Sequence, residues 1–233
     1  MAHVPIFLDV TGRPCLVVGG GEVAARKVAT LLEAGAEVTV VSPSLIEALE
    51  NLGRERRIRH LAREYKPGDM AGVTLVYAAT DDAELHQRLH AEAGVRGIAI
   101  NVADAPELCT FIVPAVLTRG SMTIAVSTEG ASPAMAKRIV ARLARLFGSE
   151  YGLALEVLRA ARHHLKATEP DIKVRARRLT ALARSRIPEY LRKNNPDAVD
   201  RILHRRLGVG LDALGLNRIR GAIVDDERAP IIR

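Results

Sequence analysis

The sequence predicts an α/β protein built on an open, mostly parallel, doubly wound sheet. Three observations carry that expectation. An apolar run over residues 16–18 stops at three glycines and turns directly into a helical pattern, LVVGGGEVAARK. A β-branched run, EVTVV, follows the helix after Gly35. Strand and helix patterns then go on alternating through the first hundred residues, which favours parallel strands joined by right-handed helical crossovers.

Taken in order, residues 6–10 form an apolar strand candidate, and Thr11-Gly12-Arg13 turns the chain back into a strand over residues 15–18. Val23, Val28, Leu31 and Leu32 give a helical stripe closed by Gly35. Further elements are expected as a short helix over 45–52, strands over 58–61 and 73–79, a helix capped by Asp81 and ending by Gly94, and a strand over 98–102. From Phe111 the style changes. FIVPAV and MTIAVS read as strands around a turn at Arg119-Gly120, and Ser132-Pro133 supplies the N-cap and first position of a helix to about Phe147. Residues 150–207 are helical and basic, interrupted at Pro170, Pro188 and Pro196. The expected division is a Rossmann-like dinucleotide-binding domain over 1–107, a small α+β region over 108–148, a helical region over 149–207, and a loosely ordered tail over 208–233.

Composition narrows the classes of function. No apolar stretch reaches the roughly 20 residues that span a bilayer, and MAHVPIF lacks the basic-then-apolar order of a signal peptide, so a cytoplasmic protein with no membrane partner is expected. Cys15 and Cys109 form no C-x-x-C pair and read as reduced thiols. The net charge of +7 favours a polyanionic partner. With no Trp and few other aromatics, base-stacking platforms are poorly supplied, and nucleic acid is not the expected partner.

The glycine junction is where a dinucleotide pyrophosphate would sit. Gly19 permits the tight turn, Gly21 lets backbone approach the phosphates, Ala24 allows close helix–strand packing, and the first-turn N–H groups face the anion. In an open α/β sheet ligands bind beyond the carboxyl ends of the strands. The segments to search are therefore 19–23, 42–44, 80–82 and 101–104, which make Gly20, Thr80 and Asn101 further cofactor candidates. The second strand ends in Val41-Ser42-Pro43-Ser44, with no carboxylate to grip a ribose and no arginine for a 2′-phosphate; Ser42 and Ser44 are either ribose ligands or an ordinary helix start. Asp104 lies at the same edge, as a turn-capping side chain or as a general base or transient metal ligand. His86 and His90, four apart without a third ligand, read as solvated helix histidines. No fixed metal site is expected. Thr128 and Ser132 flank a polar loop that either caps a helix or receives a carboxylate. Lys173, Arg175, Arg177, Arg178, Arg184 and Arg186 form a solvated basic face or a surface for an acidic ligand.

The blocks PIFLDVTGRPCLVVGGGEVAARK, VVSPS, ATDD, NVADAPELCTFIVPA and AVSTEGASPAMAK, in unbroken order, resemble the precorrin-2 dehydrogenase/sirohydrochlorin ferrochelatase family, which includes the amino-terminal part of sirohaem synthase. The resemblance implies NAD-dependent oxidation of precorrin-2, an eight-carboxylate tetrapyrrole, to sirohydrochlorin, with Fe²⁺ as a further substrate if the chain also chelates. It puts Asp104 on the catalytic aspartate, Gly21, Glu22, Val23, Pro43 and Ser44 on cofactor-contacting segments, and Thr128 where the multifunctional enzymes carry serine. It also implies a homodimer assembled through about residues 108–147, and leaves uroporphyrinogen methylation to another protein. The rival readings are a non-catalytic NAD-binding sensor, which leaves NVADAP and STEGASP unexplained, and a nucleic-acid binder, which needs no dinucleotide turn.

Overall fold

The computed structural model describes residues 3–221. Within them the chain divides into two compact units, one running through Val113 and including Glu129–Ala131, the other formed by Pro114–Thr128 and the chain from Ser132 onward.

The first unit is the expected sheet. Five strands, β1 (Pro14–Val18), β2 (Glu37–Val41), β3 (Arg59–Leu61), β4 (Leu75–Ala78) and β5 (Ala99–Val102), lie in the order β3-β2-β1-β4-β5, every pair parallel. The order reverses between β1 and β4, so right-handed crossovers on either side of that point put helices on opposite faces. The side chains agree. Cys15, Val17, Val38, Val40, Leu75 and Tyr77 pack with Ala24, Val28 and Leu31 of helix α1 (Glu22–Glu33). A second apolar cluster joins alternate residues of the same strands, including Leu16, Val18, Val76 and Ala78, to Leu85, Leu89 and Ala93. The central strands are thus buried on both faces, which is why they read as continuous apolar runs rather than as alternation.

Some local expectations change. Residues 6–10 form no strand: Ile6 and Phe7 are exposed, only Val10 enters the core, and Arg13 N–H closes a turn on the Val10 carbonyl. The helix over 45–52 is α2 (Glu47–Arg54), whose N-cap is Ile46 rather than a serine. Asp82, not Asp81, caps the next helix, its carboxylate accepting from Leu85 N–H at 2.9 Å. That helix, α3 (Ala83–Arg96), runs past Gly94 and stops at Gly97, whose φ of +67° suits a left-handed C-cap. The loop before β4 is pinned by Asp69, which accepts from both terminal nitrogens of Arg63 and from Lys66 N–H.

The second unit begins with the hairpin of β6 (Ala115–Arg119) and β7 (Met122–Val126), turning at Gly120 as expected. Ser132 and Pro133 open α4 (Pro133–Leu146) as N-cap and first residue. Helices α5 (Glu150–Thr168), α6 (Ile172–Ala183), α7 (Ile187–Arg192) and α8 (Pro196–Leu207) share a core that includes Val157, Leu165, Leu182, Val199 and Leu203. Glu150 is buried and is paired with Arg192. On the basic face, Arg178 and Arg186 pair with Glu169 and Glu189.

The expectation of a loose tail from residue 208 fails as far as residue 221. Leu211, Leu216 and Ile219 are buried in the helical core, and Arg220 reaches Asp197, Asp200 and Asp212. The stretch is aperiodic because it drapes over helices instead of forming one. Residues 222–233 lie outside the described residues.

Two outcomes check these assignments. Leu211→Ala should lower unfolding free energy by about 2–5 kcal/mol, whereas exposed Ile172→Ala should change it by less than about 0.5 kcal/mol, both read by chemical denaturation. The Arg63 guanidinium holds the Asp69 carboxyl below its ordinary value, so its contribution is present above the usual carboxylate range and is lost as pH falls through the depressed value. Asp69→Asn should therefore lower the urea midpoint at neutral pH and approach the parent protein in acid; a gap independent of pH would remove the charge from the explanation.

Candidate active site at the carboxyl edge of the sheet

Four strands of the first unit, β5, β4, β1 and β2, each end in one further backbone hydrogen bond to a neighbour. Ala103 N–H donates to Ala78 C=O (2.9 Å), Ala79 N–H to Val18 C=O (2.7 Å), Gly19 N–H to Val41 C=O (2.9 Å) and Ser42 N–H to Leu61 C=O (3.2 Å). The next residues in the chain, Asp104, Thr80, Gly20 and Pro43, therefore rise from one stitched row, in the order of the strands beneath them. With strands about 4.8 Å apart, β1 and β5, two strands away from each other, end about 10 Å apart.

The glycine turn is built by close approach. Gly19 has φ +121°, and a Cβ there would run into the Ala79 carbonyl. A Cβ on Gly20 would strike the Ser44 carbonyl and the Ser42 hydroxyl, while Gly20 C=O accepts from Ile46 N–H at 2.9 Å. Gly21 is different: nothing crowds its Cβ position. It is the N-cap of α1 and supplies no side chain to the first turn, which begins with exposed Glu22 and half-buried Val23. The amino end of the helix thus offers backbone N–H groups beside open space, which fits a pyrophosphate.

The segment after β2 packs on this turn. Ser42 is buried and its hydroxyl donates to Ser44 C=O at 2.7 Å, whereas Pro43 and Ser44 are exposed. Ser44 does not start the helix, so its hydroxyl has no capping task. Thr80 stands on the other side of Gly19, with its methyl 3.3 Å from the position of an added Cβ. Asn101 is largely committed to the protein, its amide nitrogen donating to Phe111 C=O at 3.0 Å.

Asp104 is exposed in the turn after β5, with φ +56°. Among the described residues its carboxylate takes part in no hydrogen bond or ion pair, so it is not a turn cap. The loop beneath it is braced instead by Cys109, whose sulfur accepts from Val102 N–H at 3.1 Å and lies 3.3 and 3.4 Å from the Val102 and Ala105 carbonyls. Thr110 adds bonds to both backbone groups of Ile100.

The histidines depart from expectation. His86 is buried with Nε2 3.0 Å from Thr80 Oγ1, and His90 Nδ1 donates to Leu108 C=O. Neither is a solvated helix residue, and among the described residues no group of His, Cys, Asp and Glu could hold a metal ion. Lys27, not singled out by the sequence, is half-buried with its ammonium 5.1 Å from the Tyr77 ring centroid, and burial pushes its pKa down. In the second unit Thr128 and Ser132 meet each other: the Thr128 hydroxyl donates to Ser132 C=O and accepts from its N–H, while Ser132 Oγ accepts from Met135 N–H. Capping accounts for the Ser132 hydroxyl.

Comparison with known proteins places this geometry. An NAD(P)-binding family model spans residues 6–115, and the central-domain model of sirohaem biosynthesis proteins spans 119–146. The chain is 50% identical over 152 residues to a sirohaem synthase of Methylobacillus flagellatus, covering 65% of this chain and 32% of that protein. It is 38% identical over 212 residues to that of Thioalkalivibrio sulfidiphilus, covering 91% and 43%. A solved structure of SirC, a precorrin-2 dehydrogenase, superposes with a TM-score of 0.69 at 25% identity, over 86% of this chain and 98% of that one. In sequence and in fold the chain is similar to sirohaem synthases and to a precorrin-2 dehydrogenase. It spans less than half the length of the sirohaem synthases above. An NAD cofactor agrees with the NAD(P)-binding family model, and the open space at Gly21 fits a dinucleotide's pyrophosphate. No described helix is long and apolar enough to cross a membrane.

Gly20→Ala should therefore unfold or strongly destabilise the first unit, whereas Gly21→Ala should cost at most about 1 kcal/mol of stability and still weaken NAD binding. Thermal melts paired with NAD titration separate the two; equal tolerance of alanine at both positions would contradict the close approach at Gly20.

Proposed function

We propose that the chain oxidises precorrin-2 to sirohydrochlorin, with NAD as hydride acceptor. The observation that carries this reading is the exposed, unengaged Asp104 carboxylate rising from the same stitched row as the dinucleotide turn. The reaction removes a hydride and a proton from the macrocycle. A dinucleotide held at the glycine turn would supply the hydride acceptor, and Asp104 takes the proton. Backbone N–H groups at the start of α1 hold the pyrophosphate, and the Ser44 hydroxyl serves the ribose in place of the usual carboxylate. Glu22, Val23, Pro43, Thr80 and Asn101 stand on the same edge, as further cofactor contacts. The names of the relatives support the substrate, and a net charge of +7 suits a ring bearing eight carboxylates. We infer further that two copies assemble through the β6–β7 and α4 region, and that the protein works in the cytoplasm, where free Cys15 and Cys109 stay reduced. The sensor alternative gains no support from relatives named as enzymes.

The free Asp104 carboxylate also favours a second reaction, Fe²⁺ insertion, in which it accepts the pyrrole protons that the metal displaces. Sirohydrochlorin with Fe²⁺, against a protein-free control, tests this.

For the main reaction, purified protein supplied with precorrin-2 and NAD⁺ should form NADH together with the sirohydrochlorin spectrum. Asp104→Asn should keep NAD affinity and lower kcat at least about 100-fold. Turnover by Asp104→Asn at the parental rate would refute the role of Asp104, and NAD binding without any turnover by the parent protein would refute the dehydrogenase.

A further inference from the structure

We propose that His86 is a positioning residue for the dinucleotide: it donates Nε2–H to Thr80 Oγ1, so that the Thr80 hydroxyl is left to donate its own proton to an oxygen of the bound cofactor. This rests on the dinucleotide site proposed above, and three observations lead to it. His86 Nε2 and Thr80 Oγ1 are 3.0 Å apart, and His86 is buried at 7% exposure, so the pair is held inside the protein rather than at a fluctuating surface. Thr80 stands between the glycine turn and Asp104 in the row above the sheet, because β4 lies between β1 and β5. Its methyl packs toward Gly19 while its hydroxyl meets His86, so two neighbours fix the side chain.

The direction of the bond follows from the ligand. Phosphate oxygens accept and do not donate, so a hydroxyl that serves them must spend its proton on them. Its remaining hydrogen bond must then be accepted, and the partner within reach is His86 Nε2 in its protonated tautomer. The result is a short chain of donors, imidazole to hydroxyl to cofactor, in which each bond polarises the next. His86 is itself placed by α3, whose cap at Asp82 lies four residues before it and receives its backbone N–H at 3.0 Å. His86 and His90 thus each have a protein partner, Thr80 and the Leu108 carbonyl.

The test is a double-mutant cycle on NAD⁺ binding, measured calorimetrically with the full chain and repeated with ADP-ribose. His86→Leu and Thr80→Val should each weaken NAD⁺ by about tenfold, and the double variant by no more than either alone. His86→Gln, whose amide nitrogen reaches to about the place of Nε2, should recover most of the affinity. Melting curves exclude misfolded variants, and nitrogen-15 NMR of the parent should show His86 protonated at Nε2 with NAD⁺ bound. Additive losses, full affinity in His86→Leu, or an Nδ1–H tautomer would overturn the proposal. If the parent binds neither NAD⁺ nor ADP-ribose, the dinucleotide site itself is wrong.

Discussion

The seam of backbone hydrogen bonds just past the strand ends is what the rest of the first unit depends on. Sheet pairing normally stops where strands diverge, but here Ala103, Ala79, Gly19 and Ser42 each extend it by one bond. The seam closes only because two positions lack side chains. Gly19 comes against the Ala79 carbonyl and Gly20 against the Ser44 carbonyl, so neighbouring loops approach backbone to backbone. Residues beyond the seam inherit its alignment. Their relative positions are set by main-chain geometry rather than by flexible side chains.

Most of the first unit was legible because each strand is a short apolar, β-branched run and glycines mark its ends. The misread parts have a common cause. Residues 6–10 look like a strand but find no neighbour to pair with, while residues 208–221 look shapeless but cover an apolar surface that only the assembled helices present. Local pattern reports what a segment prefers; pairing and burial depend on what stands opposite it.

The site divides the same way. Glycines in the turn and a carboxylate after β5 follow from strand ends, and those can be placed from sequence. The crowding at Gly20, the bond between Thr80 and His86, and the sulfur brace from Cys109 join residues whose spacing has no period. Thr80 and His86 are separated by a helix cap, and Val102 and Cys109 by a turn and a 3-10 segment, so no helical or strand repeat would pair them. Ser42 shows a subtler limit: its position was read correctly as part of the edge, yet its hydroxyl bonds the Ser44 carbonyl and shapes the loop.

The left-handed backbone at Asp104 restricts which chemistry the position can host. Beyond glycine, the side chains that occupy this region at low cost are chiefly asparagine and aspartate. Of these three residues only aspartate carries an ionisable side chain. Glutamate carries the same functional group but enters this region at a higher cost, as Glu129 does at φ +50°. The turn thus favours by shape the same short carboxylate that the proposed proton transfer would require. Substitution at this position is constrained twice, by causes that act independently of each other.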